Sequence, residues 1–160
     1  MIRLPPPLLA LAAGLAQRAL TGATARPKAG RAALATAVSL ASTSIAGAAA
    51  KQFRESGTTL EPVHPDHASV LVTTGANSIS RNPMYVGLTG MLVANAIRRG
   101  AWVALVPVAG FVLLIDRQQI AAEESALLEK FGTEYEAYRE ATPRWLGRSS
   151  LDLAHVNHPA

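Results

Sequence analysis

The chain has 160 residues, a formal net charge of +4, 49% apolar residues and only 16% charged ones, well short of the roughly 25% charge of an average soluble domain. It has no cysteine, which excludes disulfides, thiolate metal sites and a cysteine nucleophile. Its 15 Lys and Arg are scattered, often at the edges of apolar stretches and never interleaved with aromatics, which argues against nucleic acid as a partner and for lipid headgroups.

A single domain over residues 1–160 is the expectation at this length. Four stretches lack charge: Leu4 to Gln17, Ala32 to Ala50, Met84 to Ile97 and Gly100 to Ile115. As helices they would reach about 21 to 29 Å, against a bilayer core of about 30 Å. Arg18, Lys51, Arg98 and Arg99 stand where they can snorkel and extend that reach. The first stretch, with Arg3 before it and Ala23-Thr24-Ala25 after it, has some features of a secretory signal. The proline triplet Pro5-Pro6-Pro7 and the position of Arg18 favour a first membrane helix instead. The second stretch is rich in small residues, Ala35, Ser39, Ser42, Ala46 and Ala50, which let helix backbones approach closely in lipid. Residues 1–60 are thus expected to be N-terminal membrane helices.

A polar connection runs from Arg54 to Ser80 and contains His64-Pro65-Asp66-His67. A metal needs two or three further well-placed partners there; none is evident, so no metal is expected. His155 and His158 belong to a polar tail. Arg98-Arg99-Gly100 reads as the turn of a tight hairpin between the third and fourth helices, and Pro107 as a bend in the fourth.

The residues able to carry chemistry come in two groups. In Ser80-Arg81-Asn82-Pro83-Met84-Tyr85-Val86-Gly87, Asn82 is a good N-cap and Pro83 suits the first helical position. A helix start favours an anion, and Arg81 adds a bidentate grip on a carboxylate. In Ile115 to Gly132, Glu123 and Glu124 follow Ile120 by three and four residues and so share its apolar face or margin. Acids so placed need a partner, for which Arg117 or a bound cation would serve. Gly132 ends that helix. Thr133 and Glu136 then have capping-box spacing, and Tyr135, Tyr138 and Trp145 read as interfacial anchors.

Taken together, Leu71-Val72-Thr73-Thr74-Gly75, Arg81-Asn82-Pro83-Met84-Tyr85-Val86-Gly87, Glu123-Glu124 with Leu127, Phe131-Gly132-Thr133-Glu134-Tyr135 with Tyr138, and Pro143-Arg144-Trp145-Leu146 resemble the isoprenylcysteine carboxyl methyltransferase family, to which phospholipid methyltransferases are related. Asn82 stands where the best-known form of that family has His. The resemblance implies an all-α integral membrane bundle of about four transmembrane helices with a short C-terminal interfacial helical segment, and a cofactor-binding half over residues 71–146. It implies S-adenosylmethionine as cofactor, bound by Arg81, Asn82, Tyr85, Gly87, Arg117, Glu123 and Glu124, with Arg144 expected to meet an acidic acceptor.

The function so implied is methyl transfer to a lipophilic or prenylated acceptor, foremost an isoprenylcysteine-like carboxylate. The alternatives are methylation of a phospholipid or other lipid amine and a membrane scaffold without catalysis. A carboxylate acceptor needs no general base, so orientation and exclusion of water, worth roughly 7–11 kcal/mol, suffice. Membrane lipids are the surrounding partner, and the expected location is the inner (plasma) membrane of a bacterium. With both termini inside, nine Lys and Arg fall on the inner side and six on the outer; the cytosolic face of the site is taken from the resemblance.

Overall fold

The computed structural model describes residues 4–23, 26–55, 70–147 and 150, apart from the side chain of Phe53. The motif at His64–His67 and the residues His155 and His158 lie outside the described residues. Among the described residues all regular structure is helical: α1 (Pro6–Thr21), α2 (Ala29–Glu55), α3 (Ala76–Ile79), α4 (Pro83–Arg99), a 3-10 turn (Trp102–Ala104), α5 (Leu105–Leu114), a π segment (Ile115–Ile120), α6 (Ala121–Phe131) and α7 (Thr133–Ala141).

The proline triplet starts α1, because Pro6 occupies the first helical turn, where a missing N–H costs no bond. Helix α2 is longer than its charge-free stretch, and its segment Ala29–Gln52 is long and apolar enough to cross a bilayer. Gly100, left-handed at φ 67°, caps α4 and makes the expected turn. Beyond it, Trp102–Phe131 runs as one helical stretch that also passes the length and apolarity test. Its polar residues begin at Asp116, so its charge-free part ends where the π segment starts. Pro107 falls in the first turn of α5, just after the 3-10 turn, and not mid-helix as expected. The departures from α geometry therefore sit ahead of the proline and at Ile115–Ile120.

Two kinds of packing hold the helices. Tyr85, Leu92, Val108, Phe111, Ile115 and Ile120 form the buried core, with Leu9, Ala10 and Ala13 of α1 against it. The contact of α2 with α4 is made by small residues instead. A Cβ on Gly87 would come 2.7 Å from both the Ala46 Cβ and the Ser42 carbonyl oxygen, and one on Gly90 would run into the Ser42 hydroxyl. Such close approach lets backbones gain dispersion contact where lipid supplies no hydrophobic drive. The outer faces are apolar: Leu11 and Leu15 on α1, Leu34 and Leu40 on α2, and Val106, Leu113 and Leu114 on α5 are exposed. In water a surface of this kind is a liability; hydrocarbon solvates it.

One polar residue is built into this apolar frame. Gln17 is fully buried. Its Nε2 donates to the carbonyls of Leu92 and Ala104, both at 2.9 Å, and its Oε1 accepts from Asn95 Nδ2 at 2.7 Å. The side chain thus ties α1 to α4 and to the start of the last long helix.

Candidate active site

Residues 77–82 and 142–147 are brought together at one end of α4. The Arg81 N–H donates to the Pro143 carbonyl at 2.9 Å. The Arg144 carbonyl accepts from both Ser80 Oγ and Asn82 Nδ2 at 3.0 Å, and Tyr138 donates to the Asn77 carbonyl at 2.7 Å. Asn82 does occupy the N-cap position of α4, but its side chain makes no capping bond; its amide is spent on the C-terminal segment. Likewise Thr133 lies inside α7 behind Gly132, and the expected capping box does not form.

This seam presents two arginines to the acids of the last long helix. Arg81 Nη1 lies 2.7 Å from Glu124 Oε1 and 3.2 Å from the Tyr135 hydroxyl, while its Nε donates to the Thr142 carbonyl at 3.0 Å. Arg144 grips the same carboxylate bidentately, Nε to Oε1 at 3.0 Å and Nη2 to Oε2 at 2.5 Å. Its Nη1 stands 3.3 Å from both oxygens of Asp116, which also accepts from Trp145 Nε1 at 2.8 Å. The Arg81 and Glu124 side chains are only 11% and 12% exposed, against 35% for Arg144. The neighbouring Glu123 Oε1 accepts from the Tyr85 hydroxyl at 2.6 Å and from Gln119 Nε2 at 2.8 Å. The π segment lies immediately upstream, and such segments cluster at functional sites because they re-aim the following turn.

Arg81, Tyr85, Glu123, Glu124 and Arg144 are thus gathered, with Asn82 in the supporting seam. Arg144, expected to meet an acceptor, is engaged by Glu124 and Asp116, since two acids beside one partly buried guanidinium hold it more tightly than solvent would. Gly87 faces α2 and serves helix packing. Arg117 is exposed, and Glu124 is met by Arg81 and Arg144 instead. Sequence reasoning missed Asp116, Gln119 and Ser80 as members of the cluster. A polar residue at the end of an apolar run is the signal that could have raised the first two; Ser80 carried none. It also took Tyr135, which accepts from Arg81, for an anchor alone.

The two tyrosines of α7 allow a test of this seam. Burial, then the Glu124 carboxylate, raises Tyr135 above the ordinary phenol range, with Arg81 opposing; burial raises Tyr138 as well. A proton held more tightly folded than unfolded stabilises fully below the unfolded value of about 10 and is lost as pH rises through the folded one. Phenolate absorbance and helical circular dichroism should therefore change together above that range. Reversible ionisation of either tyrosine near the ordinary value with the helices intact would remove this account.

The cluster and the apolar frame can be set beside known proteins. A family model described as phospholipid methyltransferase matches residues 31–134. The chain belongs to that family. Membership makes it a membrane methyltransferase and implies S-adenosylmethionine as the methyl donor. An uncharacterized protein of Haemophilus influenzae is 41% identical over 63 residues, which are all of that protein and 39% of this chain. No solved structure matches. The matched range ends beyond Glu124 and includes Arg81, Tyr85 and Glu123, but not Arg144. The resemblance read from the motifs agrees with the family. Among the described residues no group of His, Asp or Glu could hold a metal.

Proposed function

We propose that the chain transfers a methyl group from S-adenosylmethionine to the polar head of a lipophilic acceptor, at the seam between α3–α4 and α6–α7. The observation that carries this reading is the charge of the cluster. The cluster gathers three acids, of which Glu124 and Asp116 are hydrogen-bonded by Arg81 and Arg144, and Glu123 by the neutral Tyr85 and Gln119. S-Adenosylmethionine has a sulfonium, an ammonium and one carboxylate, a net charge of +1, so the donor set fits it. Glu123 and Glu124 suit the cationic groups and Arg81 the carboxylate, with Tyr85 and Gln119 orienting Glu123. Asn82 and Gly87, first assigned to the cofactor, are proposed to position it, by fixing the seam and by packing α2 on α4. Arg144 is proposed to hold Glu124 and Asp116 in place.

The bound cofactor would supply an electrophilic methyl group. The chain's own residues orient the reactants and keep water out, which is where most of the rate comes from in such a displacement. We further propose the bilayer arrangement: α1, α2, α4 and Trp102–Ile115 cross as about four helices, with α6 and α7 at the interface facing the cytosol of a bacterial inner membrane. The lipid-facing leucines and the two long apolar helices support it.

For the acceptor we propose an isoprenylcysteine-like carboxylate, which needs no base. Methylation of a lipid amine is the second reading, favoured by the description of the matching family. An amine must also shed a proton, which a carboxylate acceptor does not. Calorimetry of the detergent-purified protein with S-adenosylmethionine, wild type beside Glu123→Gln, is the test. Binding by wild type, at least tenfold weaker in the variant, is expected. Correctly folded wild type that does not bind would end the catalytic reading and leave a scaffold. Transfer of labelled methyl to a prenylated cysteine, and not to an aminophospholipid, would then select the carboxylate acceptor; the reverse would select the amine.

A further inference from the structure

Among the described residues, the end of the molecule opposite the seam carries only positive charge. No Asp or Glu occurs before Glu55, nor between Asp66 and Asp116. The C-terminal end of α1, the start of α2 and the end of α4 meet there, as the Arg99–Thr21 bond and the Arg31 guanidinium against Gly100 show. Arg18, Arg26, Lys28, Arg31, Arg98 and Arg99 all belong to this end. Among the described residues this end is therefore cationic and acid-free, while the acids of the last long helix and α7 stand at the site end.

The arginines here are organised by neutral groups. Arg98 Nη2 donates to Asn95 Oδ1 at 3.1 Å, and Asn95 is itself held by Gln17. Arg99 Nη1 donates to Thr21 Oγ1 at 2.7 Å, and Thr21 to the Gln17 carbonyl at 2.7 Å. The Nε atoms of Arg99 and Arg31 are buried without a hydrogen-bond partner. A guanidinium carries five donors, and on Arg99, at the groove, and on Arg31 the Nε donor is left unsatisfied. Burying such a donor beside apolar surface is costly unless an anion completes it, while the exposed Arg18 and Arg98 stand beside it with their charge free to meet the same anion.

Geometry supplies a place for that anion. A groove of about 470 Å³ runs between α1 and α4, walled by Leu11, Leu15 and Met91 and ending at Arg18, Arg98 and Arg99. An apolar track closed by cations is the shape of one acyl chain and a phosphodiester. We propose that this groove binds a net-anionic phospholipid as a resident lipid, its phosphodiester held by Arg18, Arg98 and Arg99. A zwitterionic lipid fits less well, because among the described residues no acid stands there to receive its ammonium. The lipid is not the methyl acceptor: α4 separates this end from the seam by about 24 Å. The inference rests on the chain lying in a bilayer and not on methyl transfer, and its test uses no methyl donor.

The test titrates the full chain, delipidated in a neutral detergent, with phosphatidylglycerol, phosphatidylcholine and glycerol phosphate in turn, reading affinity and the thermal midpoint. Phosphatidylglycerol should bind at least tenfold more tightly than phosphatidylcholine and raise the midpoint. Glycerol phosphate at equal phosphate should do neither. The double variant R98Q/R99Q should lose at least tenfold in phosphatidylglycerol affinity while phosphatidylcholine is unchanged. Should that variant not fold, R98Q alone, whose exposed side chain bonds only Asn95, should lose at least threefold. Equal affinity for the two lipids, unchanged affinity in the folded variants, or a glycerol phosphate shift equal to the lipid's would each overturn the proposal.

Discussion

Glu124→Ala is expected to cost about 3–5 kcal/mol of stability, the usual penalty for removing one member of a buried ion pair. The reason is what it leaves behind. Arg81 is 11% exposed and would keep its charge with only the Tyr135 hydroxyl and the Thr142 carbonyl as partners. Arg144 would lose both of its bonds to Glu124. Since Glu124 ties both Arg81 and Arg144 to α6, the loss should free the seam from that helix as well as weaken it. Glu124→Gln keeps the volume and one acceptor and should cost less. Chemical unfolding in detergent micelles measures both. A loss below about 1 kcal/mol, typical of exposed pairs, would mean that the cluster is open to water.

The second large effect is at the opposite face of α4. Gly87→Ala places a methyl group 2.7 Å from the Ser42 carbonyl oxygen and from the Ala46 Cβ, with the Ala46 nitrogen at 3.2 Å. Two of those three atoms are backbone, so α2 as a whole must move. Overpacking of this kind costs about 1–3 kcal/mol. Gly110→Ala in α5 is the matched control, because nothing lies within 4 Å of its added Cβ. There the change should be neutral or favourable by up to about 1 kcal/mol, from helix propensity alone. Thermal midpoints of the two variants should therefore move in opposite directions. A shared direction would dissociate the α2–α4 contact from the stability of the fold.

Much of the helical frame is legible in the residues because each signal is local. Pro83 behind Asn82, Gly100 and Gly132 mark helix ends through the φ values and missing donors that those residues impose. The charge-free stretches mark the lipid-facing elements, since hydrocarbon penalises charge whatever the neighbours are. Placing Glu123 and Glu124 near Ile120 needed only helical periodicity, and their partial burial follows. The motifs around Arg81 and Glu124 sufficed to indicate the family.

Which groups pair, in contrast, was decided by tertiary structure. Arg117 is nearer in sequence to the two glutamates, yet Arg81 and Arg144 take Glu124, and Tyr85 and Gln119 take Glu123. That choice depends on the π segment and on the docking of residues 142–147 beside Ser80, neither of which a local pattern encodes. Asn82 and Gly87 show the same division. Their positions at the start of α4 were readable, but their duties toward Arg144 and α2 were not, because each depends on a strand of chain tens of residues away. Local sterics and solvation are properties of a segment, and the sequence by itself determined helices, ends and apolar faces. Hydrogen-bond partners and close backbone contacts are properties of two segments meeting, and only the folded chain determines those.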